Sequence, residues 1–241
     1  MHTLYPATSG KLSTKHGLCM KKPKLSNTAI GDAYYCSNMT EEAANAYKEA
    51  ILHPVSSSEG NYYKEMAMLH LKEIFIREHN SEEAESYREM LLKSDAMHTN
   101  QTILFFHYCS DVAYYIMTGE SQKAQDSFLE VEKIYHSCKE PYYYSPFLCS
   151  QGLYNETIGK NELALLCYDN VLQSIKQKMQ SITYLQVSHL KANLLIKKGD
   201  PQEAARLYEK ISRITDSIAS PSYTHRFLSG KPDESGEQGR T

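Results

Sequence analysis

An all-α solenoid of about five helix-turn-helix units with a 40-residue period is the fold class this sequence predicts, and three observations predict it. Short strings centred on Ala43, Ala84, Ala124, Ala164 and Ala204 recur at steps of 41, 40, 40 and 40 residues: TEEAANAY, SEEAESYR, SQKAQDSF, NELALLCY and PQEAARLY. Five residues before each Ala stands a residue suited to a tight turn, Asn38, His79, Gly119, Gly159 or Gly199. Large apolar side chains flank each turn at helical spacing. Self-similarity at a fixed period of this length is the mark of a stacked array.

The first helix of each unit carries Tyr34, Phe75, Tyr115, Asn155 or Leu195 nine residues before the marker Ala. The turn residue then supplies the left-handed conformation that ends that helix. Thr40, Ser81, Ser121, Asn161 and Asp200 follow where the second helix needs an N-cap. Four residues after the Ala stand Tyr47, Arg88, Phe128, Tyr168 and Tyr208, and seven after it Ala50, Leu91, Val131, Val171 and Ile211. Offsets of four and seven share one helical face, so the second helix presents a small residue, a large ring and another apolar side chain. Such a hairpin cannot bury both its faces alone and needs its neighbours.

These strings resemble tetratricopeptide repeats, whose pattern is L-G-x-x-Y, then A-x-x-x-F, then Pro, in units of about 34 residues. Ile30-Gly31-x-x-Tyr34, Ala43-x-x-x-Tyr47 with Ala50, and Pro54 match nearly in full. In later units the first-helix Gly recurs as Gly152, with Ala192 as a small substitute, and Arg88 replaces the second ring. The family's Trp is absent; its place holds Asn27, Met68, Tyr108, Leu148 and Ser188. A 40-residue unit leaves about six residues over the family mean, nearly a turn per helix. Long units of this kind are similar to those in the sensor regions of bacterial two-component histidine kinases, and Gly199 to Ala219 resembles the last repeat of such a region.

The expected organisation is an irregular segment at 1–23, a remnant of an earlier repeat, then the array at 24–220 and a disordered polar tail at 221–241. Pro6, Gly10 and Gly17 disfavour a long helix in the first segment, as Gly230, Pro232, Gly236 and Gly239 do in the last. The expectation that follows is a truncated fragment of a larger sensor protein.

Composition narrows the function. A chain of 241 residues, 41% hydrophobic and 23% charged, can bury a core without disulfides or metal. A net charge of -3 gives no case for wrapping nucleic acid or coating an anionic membrane. The Lys-rich stretch from Lys11 to Lys24 lacks interleaved aromatics and reads as a solvated terminus. Six Cys without a C-x-x-C pair read as free thiols in a reducing compartment, with no metal site and no cofactor. No window reaches 18 consecutive apolar residues and no apolar leader follows the first charges, so the expected compartment is the cytoplasm, or the periplasm for a piece of a sensor kinase.

Catalytic signatures are missing: no H-E-x-x-H, G-x-S-x-G, G-x-x-x-x-G-K or G-x-G-x-x-G occurs, and no kinase phospho-acceptor or nucleotide box. Cys149 and His189, on neighbouring first helices, are the one candidate nucleophile and base. In the family the first helices line a concave face, and by spacing that face takes Tyr35, Leu69, Glu73, Ile76, Phe106, Cys109, Ala113, Ile116, Leu153, Gln186, His189 and Asn193. Its apolar middle and polar C-terminal end suit a peptide or amphipathic helix. The carboxylate clamp of chaperone-binding members needs Lys, Arg and Asn where this chain has Leu25, Thr28, Asp32, Phe106 and Ser110, which disfavours an acidic C-terminal tail.

Tyrosine supplies 19 of the 25 aromatic residues and Trp none. Tyr34, Tyr47, Tyr108, Tyr115, Tyr168 and Tyr208 occupy ring positions of the repeat. Tyr142, Tyr143 and Tyr144, within EPYYYSPF, are surplus to the frame and read as a rigid, partly exposed inter-repeat loop, whose rings pack against adjacent helices as the favoured reading or offer binding anchors as the alternative. The sequence thus points to non-catalytic binding of a protein or peptide, as the sensing or interaction part of a bacterial signalling system. A stand-alone adaptor or scaffold is the alternative within that class, and an unrecognised Cys/His hydrolase the alternative outside it.

Overall fold

The computed structural model describes residues 27–53, 58–138, 140–175 and 182–218; the segments at 1–23 and 221–241, and Pro54, lie outside them. The described residues form eleven α-helices, one 3-10 turn and no strand. Five antiparallel hairpins follow one another. They are α1 (Asn27–Cys36) with α2 (Thr40–Leu52), α3 (Ser58–Arg77) with α4 (Ser81–Leu92), and, after the short α5 (Ala96–Thr99), α6 (Gln101–Met117) with α7 (Ser121–Cys138). A 3-10 turn, Pro141–Tyr143, leads into α8 (Tyr144–Thr157) with α9 (Asn161–Ser174), and α10 (Ile182–Lys198) pairs with α11 (Pro201–Ile218).

Every hairpin turns by the same chemistry. Asn38, His79, Gly119, Gly159 and Gly199 adopt φ of 58°, 55°, 79°, 73° and 85°. The next N–H in each case donates back to the first helix: Met39 to Tyr34 O at 2.9 Å, Asn80 to Phe75 O at 2.9 Å, Glu120 to Tyr115 O at 2.8 Å, Lys160 to Asn155 O at 2.8 Å, Asp200 to Leu195 O at 2.9 Å. That six-to-one bond is the Schellman closure, which left-handed backbone permits. The carbonyls of the same five donors then accept the marker alanines' N–H groups at 3.0 to 3.3 Å and start the second helix. One residue therefore closes one helix and caps the next.

This double duty corrects the capping expectation. The N-cap falls one residue earlier than Thr40, Ser81 and Asn161, at Met39, Asn80 and Lys160; of these Asn80 alone caps with its side chain, accepting from Glu83 N at 3.2 Å. Ser121 likewise lies inside α7, whose first bond goes to Glu120 O. Asp200 keeps the predicted role, its carboxylate accepting from Glu203 N at 3.1 Å.

Packing follows the register. Ala43, Ala84, Ala124, Ala164 and Ala204 are fully buried, which lets the two helices of each hairpin approach closely. Tyr47 and Tyr168 fill the space beside them with no exposed surface, and each hydroxyl donates to a first-helix carboxylate, Asp32 at 2.8 Å and Glu156 at 2.6 Å. A Cβ on Gly31 would lie 2.5 Å from the Tyr47 ring, and one on Gly152 2.5 Å from the Tyr168 ring. Glycine is thus the only residue that fits under those two rings. Second helices dock on the next unit's first helix (α2 on α3, α7 on α8, α9 on α10), while α3, α6 and α8 stack in succession. That stack puts these three first helices together on one side of the array.

Unit two solves the same packing problem with charge. The places of Gly31 and Tyr47 hold Lys72 and Arg88, twelve residues before and four after Ala84. Lys72 is fully buried; its ammonium donates to Asp111 of unit three and to His107 O at 3.4 Å. His107 Nε2 reaches the same carboxylate at 3.2 Å. Burial works to raise the Asp111 carboxyl, but Lys72 and His107 overcome it and hold it well below the usual carboxylate range. Burial lowers Lys72 and His107 in turn. The ion cluster ties unit two to unit three where units one and four have a ring on a glycine.

Candidate binding groove

The concave residues divide into packing and lining. Leu69 (2% exposed), Phe106 (6%), Tyr35 (8%) and Ile76 (9%) belong to the hydrophobic core, so four of the expected contacts offer little free surface. Phe106 packs edge-on against Tyr143. Cys109, Ala113, Ile116 and Leu153 are half-buried, and His189 and Asn193 are exposed near the C-terminal end. The exposed pair faces Tyr208: the His189 ring meets it edge-on at 5.7 Å, and its hydroxyl donates to Asn193 Oδ1 at 2.5 Å.

Tyr35, Glu73 and Gln186 come together, although they belong to units one, two and five. The Tyr35 hydroxyl donates to Glu73 Oε2 at 3.4 Å and accepts from Gln186 Nε2 at 3.0 Å. Its ring lies 5.4 Å from the His70 ring and 5.0 Å under the Arg77 guanidinium. His70 stands 3.6 Å from Glu73 and 3.8 Å from Asp32. Burial alone would lower its pKa, but Glu73 and Asp32 raise it; His70 correspondingly draws Glu73 down against burial. Burial pushes the Tyr35 phenol up to about 12, so it stays a neutral donor and acceptor. The corner is polar, held from several sides, and keeps Glu73 36% exposed and Asp32 26% exposed.

Asp32, His70 and Arg77 are corner residues that the sequence reading missed. For Asp32 the signal was the register: Asp32 and Glu73 each lie eleven residues before their marker Ala, a place that Asn193 also fills.

The tyrosine trio does not form a loop. Pro141–Tyr143 is a 3-10 turn that runs directly into α8, and Pro146 sits in the first helical turn, where no N–H is needed. Tyr143 is 1% exposed, stacks on Phe105 with centroids 3.9 Å apart and donates to Thr102 Oγ1 at 3.2 Å. Phe105, on the first helix of unit three, buries the Tyr143 ring. Tyr142 (50%) and Tyr144 (39%) remain at the surface.

Nothing in the groove has the chemistry of an activated thiol. Burial pushes Cys149 up to about 12, away from the thiolate a nucleophile needs, and it lowers the pKa of His189. Among the described residues no group of His, Cys, Asp and Glu is placed to hold a metal ion, and no helix is long and apolar enough to cross a membrane.

Comparison with known proteins agrees with the architecture. The family model described as Tetratricopeptide repeat matches residues 188–220, which cover most of α10 and all of α11. A search of curated proteins gives no match. The four preceding hairpins repeat the turn and the buried alanine of the matched one, three of them repeat its ring while unit two has Arg88, and the described residues form an all-α array of helical hairpins similar to tetratricopeptide repeats.

Proposed function

We propose that this array is a non-catalytic module that binds a protein or peptide on its concave face, as the sensing or interaction part of a bacterial signalling system. Repeats of this type generally serve protein–protein interaction. The observation that carries the reading is the polar corner on the first helices. There Glu73 and Asp32 keep part of their carboxylates open to solvent while Tyr35, His70 and Arg77 fix their surroundings. A preorganised surface of this kind binds without first ordering its own side chains, which lowers the cost of association. The signalling context rests on the 40-residue unit, longer than the family mean of about 34. The raised Cys149 thiol speaks for binding over hydrolysis.

The test is selection of binders from a displayed peptide library, followed by calorimetry with variants. Glu73→Gln and Asn193→Ala should weaken the selected peptides at least tenfold while leaving the melting curve in place, and Leu166→Ala on the outer face of α9 should not matter. Affinities unmoved by the groove variants would overturn the reading. A panel of hydrolase substrates with Cys149→Ala as control tests the catalytic alternative: turnover that vanishes in the variant would contradict a non-catalytic module.

A further inference from the structure

Among the described residues the hydrogen bonds between neighbouring units join residues no more than 41 apart, as in Thr102 with Tyr143, but Gln186 and Tyr35 are 151 residues apart. Tyr35 lies eight residues before Ala43 near the end of α1, and Gln186 eighteen before Ala204 near the start of α10. A difference of ten helical places is about 15 Å along the helix axis. Over four inter-unit steps the array has therefore come round on itself while rising by about that distance, and unit five meets unit one across the concave face.

We infer that the Tyr35–Gln186 bridge is a latch across the concave groove that closes and parts between units one and five. Three observations carry this. The bridge joins bodies that are each built without it, since α1 packs on α2 and α3, and α10 on α9 and α11. Tyr35 has a second partner: with Gln186 gone, its hydroxyl still donates to Glu73 Oε2, and the Arg77 guanidinium and His70 ring still hold the ring. Gln186 is half-buried, so water takes over its amide when the latch opens. Both states thus leave the polar groups satisfied, which a switch between two states requires. A repeat array is also soft in the needed direction, because small rotations at four interfaces sum to a large displacement between the end units.

The latch rests on the concave face being the binding face, and its test needs no ligand. Nitroxides attached through encoded ketone side chains at positions 41 and 202, equivalent exposed places on α2 and α11, report the separation of units one and five by pulsed dipolar spectroscopy. The full chain should show a main short-distance population and a minor longer one. Tyr35→Phe removes the hydroxyl and keeps the ring; Gln186→Leu removes the amide. Loss of one neutral hydrogen bond should raise the long-distance fraction by about two- to tenfold in each variant. The double variant should open no further than the stronger single one, because both remove the same bond. Distance distributions that overlay in all four proteins, or a double variant whose effect is the product of the singles, would overturn the latch. Thermal melts of each protein verify folding, and a latch that opens in a protein whose selected peptides ignore the groove variants counts against the binding reading and not against the latch.

Discussion

The Nε of Arg88 lies 3.2 Å from each carboxylate oxygen of Asp111, across the boundary between units two and three. Arg88 holds the place that Tyr47, Phe128, Tyr168 and Tyr208 hold in the other units. Its guanidinium also covers the Tyr115 ring at 5.1 Å, so the side chain does part of a ring's packing while it meets the Lys72–Asp111 pair. The ring-on-glycine contact of units one and four and the ion cluster of unit two are alternative fillings of one repeat position.

Asp111→Ala leaves Lys72 and Arg88 without their shared anion in a site where Lys72 has no access to water. Breaking a buried ion pair in this way costs about 3 to 5 kcal/mol. Urea unfolding should show that loss. The triple variant Lys72→Ala, Arg88→Tyr, Asp111→Asn, which rebuilds the ring-on-small-residue contact, should recover more than half of it.

Gly31→Ala and Gly152→Ala each place a methyl 2.5 Å from a tyrosine ring that has no exposed surface and therefore little room to retreat. Alanine favours the helix by about 1 kcal/mol, but overpacking a filled core costs about 1 to 3 kcal/mol. Both substitutions should lower the melting temperature, against the usual sign for glycine to alanine in a helix. Unit five already pairs Ala192 with Tyr208, whose ring is only half-buried.

Tyr143→Ala should cost about 3 kcal/mol or more in chemical denaturation, because it empties the stack on Phe105. Tyr142→Ala, at a half-exposed ring, should cost less than about 1 kcal/mol. Similar losses for the two would show that the trio is an exposed loop after all.

The buried His107 and the half-buried His70 should tilt stability with pH in opposite directions. Burial and the Lys72 charge lower His107, so the unfolded chain binds its proton more readily, and stability falls as pH drops through the range below about 6.5. Glu73 and Asp32 raise His70 against burial, so its contribution is present below about 6.5 and is lost as pH rises through the raised value. His107→Gln should flatten the acid side of the urea-midpoint profile, and His70→Gln the alkaline side.

How much of this was legible in the sequence depends on the range of the physics. The five turns, the buried alanines and the rings at Tyr47, Phe128 and Tyr168 follow from helical period and turn chemistry, which act within one unit. The N-cap shift from Thr40 to Met39 escaped because one residue serves two helix ends, and cap preferences describe each end alone. Lys72 was visible as a charge at a glycine place, but its anion comes from the next unit. Gln186 against Tyr35 was out of reach entirely, since it depends on the summed rotation of four interfaces, which no local pattern encodes.

The claim at the centre of this account is that partners bind on the concave first helices and not on the outer surface. Chemical-shift mapping of the full chain with a peptide selected for binding tests it most directly. The account predicts that shifts concentrate at Tyr35, Glu73, Cys109, Ile116 and Gln186. Shifts clustered instead at Leu163 and Leu166, exposed to 49% and 56% on the outer face of α9, would contradict it.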